Sequence, residues 1–254
     1  MKRLIIYPII LLLFFSSCSR KQYVITSIRG EYVPVTATSH PDPQMSALVE
    51  GYKHQLEKTM GVVIGTAAQN MPYGKPESLL TNFTSDAIKG LDTHYTDGQP
   101  VDLTLMNVNG HRSPIAKGDI TVGDIFSTYS FENELVVVRL KGNDLNELFD
   151  QYAQMGGAGI SGNVRLHIKD KKIVSATVDG KPVDKDKIYT IVTLDYLSEG
   201  NDGMAALKKA QSVTHTKITL RDFILDYIKS ETAKGNAIDS KLDGRIAVEL
   251  KGKI

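Results

Sequence analysis

The chain is 254 residues long, 41% hydrophobic and 23% charged, with a formal net charge of +1. So even a balance excludes bulk electrostatic attraction to nucleic acid and leaves any anion to be held by a local arrangement of donors. A single cysteine excludes an internal disulfide, so an apolar core must hold the fold.

Lys2-Arg3, the apolar stretch 4–15 and Ser16-Ser17 before Cys18 have the layout of a secretion signal, and the stretch is too short to span a bilayer comfortably. Phe15-Ser16-Ser17-Cys18 resembles the lipobox of bacterial lipoproteins. That resemblance implies a signal peptide over 1–17, a lipid on Cys18, and a membrane-anchored protein of the bacterial cell envelope facing the periplasm. A plain secreted protein with an incidental cysteine is the alternative. Residues 18–43 are polar and proline-containing and fit a tether, which leaves 44–254 as the folded domain.

Met45, Leu48, Val49, Tyr52, Leu56 and Met60 recur at helical spacing and predict an amphipathic helix over 44–60. A strand is expected at 62–67, then a helix from Pro76 onward with Leu79, Leu80, Phe83, Ala87, Ile88 and Leu91 on one side. The apolar run 101–106 reads as a strand. A further short segment begins at Ile120, and 135–140 is a β-branched strand broken by Lys141-Gly142-Asn143. A helix at 144–154 and a flexible glycine-rich stretch at 156–162 follow. Strands are expected at 164–169, 172–179 and 187–194, with Asp179-Gly180 as a hairpin turn. A helix at 220–232 and a strand at 245–250 close the chain. With no repeat and no internal linker, the pattern predicts a single α+β domain, mixed β-sheets layered with helices.

Two loops invite a chemical reading. Asn107-Val108-Asn109-Gly110-His111-Arg112-Ser113-Pro114-Ile115 leaves the end of the 101–106 strand, where glycine permits a tight turn and arginine supplies a planar fork of donors. An anion-binding loop and an ordinary turn with a solvated arginine are both compatible with these residues. Tyr196 and Asp202, six residues apart around a glycine turn, suit a nucleoside: a ring on the tyrosine face, a hydroxyl or base donor on the carboxylate. A core tyrosine beside a surface turn is the other reading.

Further short strings lie in order along the chain. They are Glu77-Ser78 with Asn82 and Asp86-Ala87, the loop 107–115, Gly118-Asp119-Ile120-Thr121, Phe131-Glu132-Asn133, Lys141-Gly142, Ile160-Ser161-Gly162, Gly180-Lys181-Pro182, Tyr189, the turn 196–203 and Asp243-Gly244-Arg245-Ile246. Together they resemble the C-terminal domain of the 5′-nucleotidase and UDP-sugar hydrolase family over roughly residues 45–250. The resemblance implies a domain that binds the nucleotide while a separate N-terminal domain carries a two-metal centre. It implies that Arg112 contacts the substrate phosphate, that Asn107 and Gly110 hold the same loop, and that Tyr196 is one of two aromatics sandwiching the base. Asp202 matches the aspartate of the family's Gly-Gly-Asp-Gly turn, and Asn133 matches an asparagine supporting the site.

The chain departs from the family pattern at Asn109, Ser130 and Asn201, and at Gly156-Gly157-Ala158-Gly159, where the family places its first aromatic. The last departure implies that half of the base clamp is missing, a loss of roughly 1 to 3 kcal/mol on the scale of base–aromatic stacking.

Two-metal hydrolysis needs several converging ligands, yet His40, His54, His94, His111, His167 and His215 are scattered singly. Asp92-Thr93-His94 reads as a polar loop, and His111 as a partly solvated loop histidine rather than a general acid. No acyl-transfer serine motif, Walker loop or dinucleotide fingerprint occurs. The expectation is therefore a chain that itself binds no metal or cofactor, with two divalent metals in a partner domain. It would be the nucleotide-recognition half of a split 5′-nucleotidase-like system for nucleotide catabolism and salvage, with hydrolysis performed by a separate metallophosphatase chain. A stand-alone module that binds nucleotides or nucleotide sugars without catalysis is the alternative, and a degenerate domain kept for protein contacts is a third. Expected partners are thus a nucleotide-like small molecule, the metallophosphatase chain and, through the lipid alone, the membrane; nucleic acid is not among them.

Overall fold

The computed structural model describes residues 27–30, 32, 36 and 40–249, so Cys18 and the expected signal lie outside the described residues. The chain divides into two units, Met1–Leu48 and Val49–Ile254. Helix α1 (Pro43–Met60) crosses that division and buries none of its residues; in the larger unit its apolar positions Val49, Tyr52 and Leu56 stay exposed. Among the described residues no helix is long and apolar enough to cross a membrane.

Among the described residues the larger unit is a mixed α+β fold of three sheets. Its elements run β1 (Val63–Ala67), α2 (Leu79–Ile88), β2 (Leu103–Met106), β3 (Gly118–Thr121), α3 (Val122–Thr128), β4 (Glu134–Lys141), α4 (Gly142–Met155), β5 (Gly159–Ile160) and β6 (Val164–Lys169). They continue with β7 (Lys172–Val178), β8 (Lys181–Pro182), β9 (Ile188–Leu194), α5 (Asp195–Ser198), β10 (Ser212–Thr219), α6 (Leu220–Ala233) and β11 (Ile246–Glu249). The central sheet has the order β10-β4-β9-β2-β5, a second has β11-β6-β7-β8, and β1 pairs with β3 alone.

Burial explains this order. The strands β2, β4 and β9 are near-continuous apolar runs, and they take the interior of the central sheet, where both faces are covered. Helix α4 covers it with Leu145, Leu148, Phe149, Tyr152 and Ala153, a stripe at helical spacing. That helix begins on Gly142, where a Cβ would lie only 1.9 Å from the Asp184 carbonyl oxygen, so the close approach of the two backbones requires glycine.

Several elements differ from the sequence expectation: β5 forms inside the stretch expected to be flexible, and the short β8 and α5 add to the expected set. The segment beginning at Ile120 is strand for only two residues before a reciprocal Thr121/Asp124 capping box starts α3. The eight-residue strand β10 was not expected at all. It is an edge strand, mostly exposed, so burial imposes little apolar alternation on its sequence.

Candidate functional site

Strand pairing decides which loops meet. Parallel pairing of β2 with β9, Leu103 opposite Ile191, brings the C-terminal ends of both strands to one edge of the sheet. Antiparallel pairing of β4 with β9, Leu135 opposite Leu194, makes β4 begin at that same edge. Residues 107–112 after β2, 131–133 before β4 and 195–203 after β9 are therefore neighbours despite their separation in sequence. A cavity of about 240 Å³ opens among them, lined by Asn107, Asn109, Gly110, Arg112, Phe131, Asn133, Tyr196 and Asp202. All six residues singled out for small-molecule binding from the sequence line this one cavity.

Asp202 is the hub. It adopts the left-handed conformation at φ 51° and ψ 31°, uncommon for any residue but glycine. Its Oδ2 accepts from Asn107 Nδ2 at 2.7 Å and its Oδ1 from the Tyr196 hydroxyl at 3.0 Å. The hydrogen bond to Asp202, and then that residue's charge, raise the Tyr196 phenol above its ordinary value and keep it a donor. Asn201 Nδ2 donates to the Tyr196 carbonyl at 2.8 Å and closes the turn.

Asn107 is 7% exposed, and its buried Oδ1 has no hydrogen-bond partner. A Cβ at position 110 would lie 2.5 Å from that oxygen, so Gly110 is the residue that lets the loop fold over it. A buried acceptor left without a donor costs about 1–3 kcal/mol, which a donor group on a molecule in the cavity would relieve. The Arg112 backbone N–H donates to the Thr128 carbonyl at 2.9 Å, while its exposed guanidinium sits 5.7 Å from the Phe131 ring centroid. That guanidinium makes no ion pair among the described residues, so it is a cation free to meet an anion.

Phe131 corrects the expectation of a half-missing aromatic clamp. The stretch Gly156-Gly157-Ala158-Gly159 indeed offers no ring, but Phe131, 48% exposed, lines the same cavity as Tyr196. Phe131 belongs to the string Phe131-Glu132-Asn133, in which the family resemblance implies a role for the asparagine alone. Lys75 was missed too, because it lies in an irregular segment before α2. It lines a second compartment of about 260 Å³ with Met155, Ala158 and Met204, which shares Asn107, Asn109 and Asp202 with the first. Its ammonium donates to the Met155 carbonyl at 2.7 Å.

His111 also differs from expectation: it is 1% exposed rather than partly solvated. Its Nε2 lies 2.9 Å from Thr84 Oγ1, which lies 2.7 Å from the Tyr129 hydroxyl, and its Nδ1 lies 3.2 Å from the Val108 carbonyl. A neutral ring donating from Nδ1 fits the Val108 carbonyl, while the single Thr84 hydroxyl proton is shared between the Leu80 carbonyl at 2.8 Å and Nε2. Burial lowers the His111 pKa to about 4, against a smaller opposing effect of the Val108 hydrogen bond. The unfolded chain therefore takes up the imidazole proton at a higher pH than the folded one. The resulting stabilisation, about 3 kcal/mol, is complete above pH 6.5 and is lost as the pH falls toward 4. Urea denaturation between pH 7 and 4 should show that loss, and His111→Asn should flatten it; an equally steep profile in the variant would disprove the assignment.

The Asp92-Thr93-His94 string forms a tight turn in which Asp92 Oδ1 accepts from the His94 backbone N–H at 2.8 Å, so that carboxylate caps its own turn. Among the described residues no group of three or more His, Cys, Asp or Glu could hold a metal ion.

The family model for the 5′-nucleotidase C-terminal domain matches residues 63–209, more than half of the chain. The chain belongs to the 5′-nucleotidase C-terminal-domain family. The 5′-nucleotidase precursor of Thermus thermophilus superimposes on 80% of this chain and 42% of its own, with a TM-score of 0.67 and 26% identity. The NAD 5′-nucleotidase of Haemophilus influenzae is 26% identical over 66% of this chain and 32% of its own length. The cell wall protein Lmo0130 of Listeria monocytogenes is 28% identical over 86% of this chain and 31% of its own length. The chain thus spans less than half the length of these relatives, and its cavity loops fall within the residues that the family model matches.

Proposed function

We propose that this domain recognises a nucleotide in the cavity at the strand edge, and that hydrolysis is supplied by a metallophosphatase domain outside these 254 residues. One observation carries the reading: an unpaired guanidinium, two exposed aromatic rings and a carboxylate hub line a single cavity. Arg112 is a donor fork for a phosphate, Phe131 and Tyr196 are faces for a base, and Asp202 with the orphaned Asn107 Oδ1 accepts from sugar hydroxyls. Lys75 on the far side of Asn107 adds a second positive charge. In this scheme the domain contributes binding and orientation, and the metal domain the bond-breaking step.

Calorimetry with AMP, UMP and adenosine, on the parent and on Arg112→Ala, tests the reading. The variant should lose about 1.5–3 kcal/mol of affinity for the nucleotides, as for a charge-assisted hydrogen bond, and almost none for adenosine. Equal loss for adenosine would remove Arg112 from the phosphate. Phosphate release from AMP with added divalent metal should be absent for the chain alone and appear when a metallophosphatase domain is added. Full turnover by the isolated chain would overturn the division of labour. The presence of both rings on this chain also favours a stand-alone binding module, which requires measurable affinity and no stimulation of any metallophosphatase.

A further inference from the structure

Arg221 is a buried cation that the cavity does not use. It lies in the first turn of α6, 8% exposed, and its Nε has no hydrogen-bond partner. A positive charge at that end of a helix opposes the helix dipole, and an arginine withdrawn from water without full pairing is destabilising by itself. The buried Arg245 shows the contrast, since Asp86 and Asp243 both pair with it. Arg221 is thus only partly compensated, by Glu132, the Tyr129 carbonyl and the Phe126 ring.

Its polar contacts fall on the segment 129–133, and its stacking contact on α3 just before it. Nη1 makes a long hydrogen bond of 3.4 Å to the Tyr129 carbonyl, and Nη2 reaches the exposed Glu132 carboxylate at 3.2 Å. The guanidinium lies 4.3 Å from the Phe126 ring centroid, and the neighbouring Leu220 backbone N–H donates to the Asn133 carbonyl at 2.9 Å. This segment carries Phe131 and Asn133 into the cavity. On its cavity side Arg112 approaches Phe131, and its own N–H holds the Thr128 carbonyl.

We propose that Arg221 is a positioning residue that holds the 129–133 segment from behind, so that Phe131 and Asn133 face the cavity before any ligand arrives. The inference rests on the nucleotide reading only for what the preset wall would bind. Preorganising that wall lowers the ordering cost of binding without a new contact.

The chain has no tryptophan, so Phe131→Trp in the full chain introduces a single fluorescent reporter at the position in question. Acrylamide quenching and anisotropy of that tryptophan are read without ligand, in the reporter alone and with Arg221→Met, Arg221→Lys or Glu132→Ala added. Leu225→Ala, on the same helix, is the control for general destabilisation. Arg221→Met should raise the quenching constant about twofold, with Arg221→Lys and Glu132→Ala intermediate and Leu225→Ala unchanged. Glu132 is exposed, so its variant keeps the test open should Arg221→Met fail to fold. Unchanged quenching in the arginine and glutamate variants, or an equal rise in Leu225→Ala, overturns the proposal. Titration with AMP then separates the two readings. A loosened wall with affinity weakened about tenfold supports both, whereas a loosened wall in a protein that never bound AMP leaves the positioning role standing and removes the nucleotide.

Discussion

Arg245→Ala should lose about 3–5 kcal/mol of stability in urea denaturation, because it removes the buried cation of an ion-pair cluster in which Glu77 and Asp243 are also largely buried. The arginine side chain is 2% exposed and ties three segments together. Its Nη1 and Nη2 donate to the two carboxylate oxygens of Asp86 on α2 at 3.0 and 2.9 Å, and Nη1 also reaches the Ile160 carbonyl on β5 at 2.9 Å. Nε donates to Asp243 Oδ1 at 3.0 Å, and Glu77 stands 4.0 Å away. Burial pushes the Asp243 carboxyl up, but the Arg245 hydrogen bond and charge outweigh it and leave the group below its ordinary value. Without the arginine, Asp243 and the buried Glu77 keep only Arg165, 3.5 Å from Asp243, as a neighbouring cation, while the half-exposed Asp86 is left to water. Arg245→Met combined with Asp86→Asn and Asp243→Asn should recover part of the loss, since neutral polar groups need no counter-charge. A loss below about 1 kcal/mol in Arg245→Ala would show that water reaches the cluster and screens it.

Tyr152→Ala should cost about 3–5 kcal/mol, the range for truncating a large aromatic in a close-packed interior. Tyr152 is fully buried on α4, and its hydroxyl donates to the Gly159 carbonyl at 3.0 Å, with the Met106 carbonyl at 3.4 Å. Burial pushes the phenol far above its ordinary value, against a weaker effect of the Met106 contact, so the group stays a neutral donor. The side chain thereby anchors the pairing of β2 with β5 one residue before Asn107. Tyr152→Phe removes the hydrogen bonds but fills the space, and should cost about 1 kcal/mol. Equal losses in the two variants would show that the hydroxyl, not the ring, carries the stability.

Several motifs behind the family resemblance belong to the Arg245 cluster rather than to the cavity. Glu77 Oε1 accepts from Asn82 Nδ2 and from the Asp243 backbone N–H, and Asp86 Oδ1 accepts from the Gly162 backbone N–H. Three further motifs, 107–112, Phe131-Glu132-Asn133 and 196–203, contribute residues to the cavity. A sequence string does not by itself say which of these two tasks it serves. Phe131 is the clearest case: the family resemblance points to an aromatic near Ile160, whereas the ring that joins Tyr196 at the cavity precedes β4.

Local chemistry determined much of this protein in advance. The apolar runs of β2, β4 and β9, the helical stripe of α4 and the glycine turns are fixed by interactions within a few residues, and so are legible in order along the chain. The edge strand β10, the burial of His111 and the behind-the-loop place of Arg221 were decided only by tertiary structure. Each depends on what packs against it, and that partner lies tens of residues away. The cavity is the strongest instance: β2 and β9 pair in parallel while β4 runs the other way, and this register alone brings Arg112, Phe131 and Tyr196 to one edge.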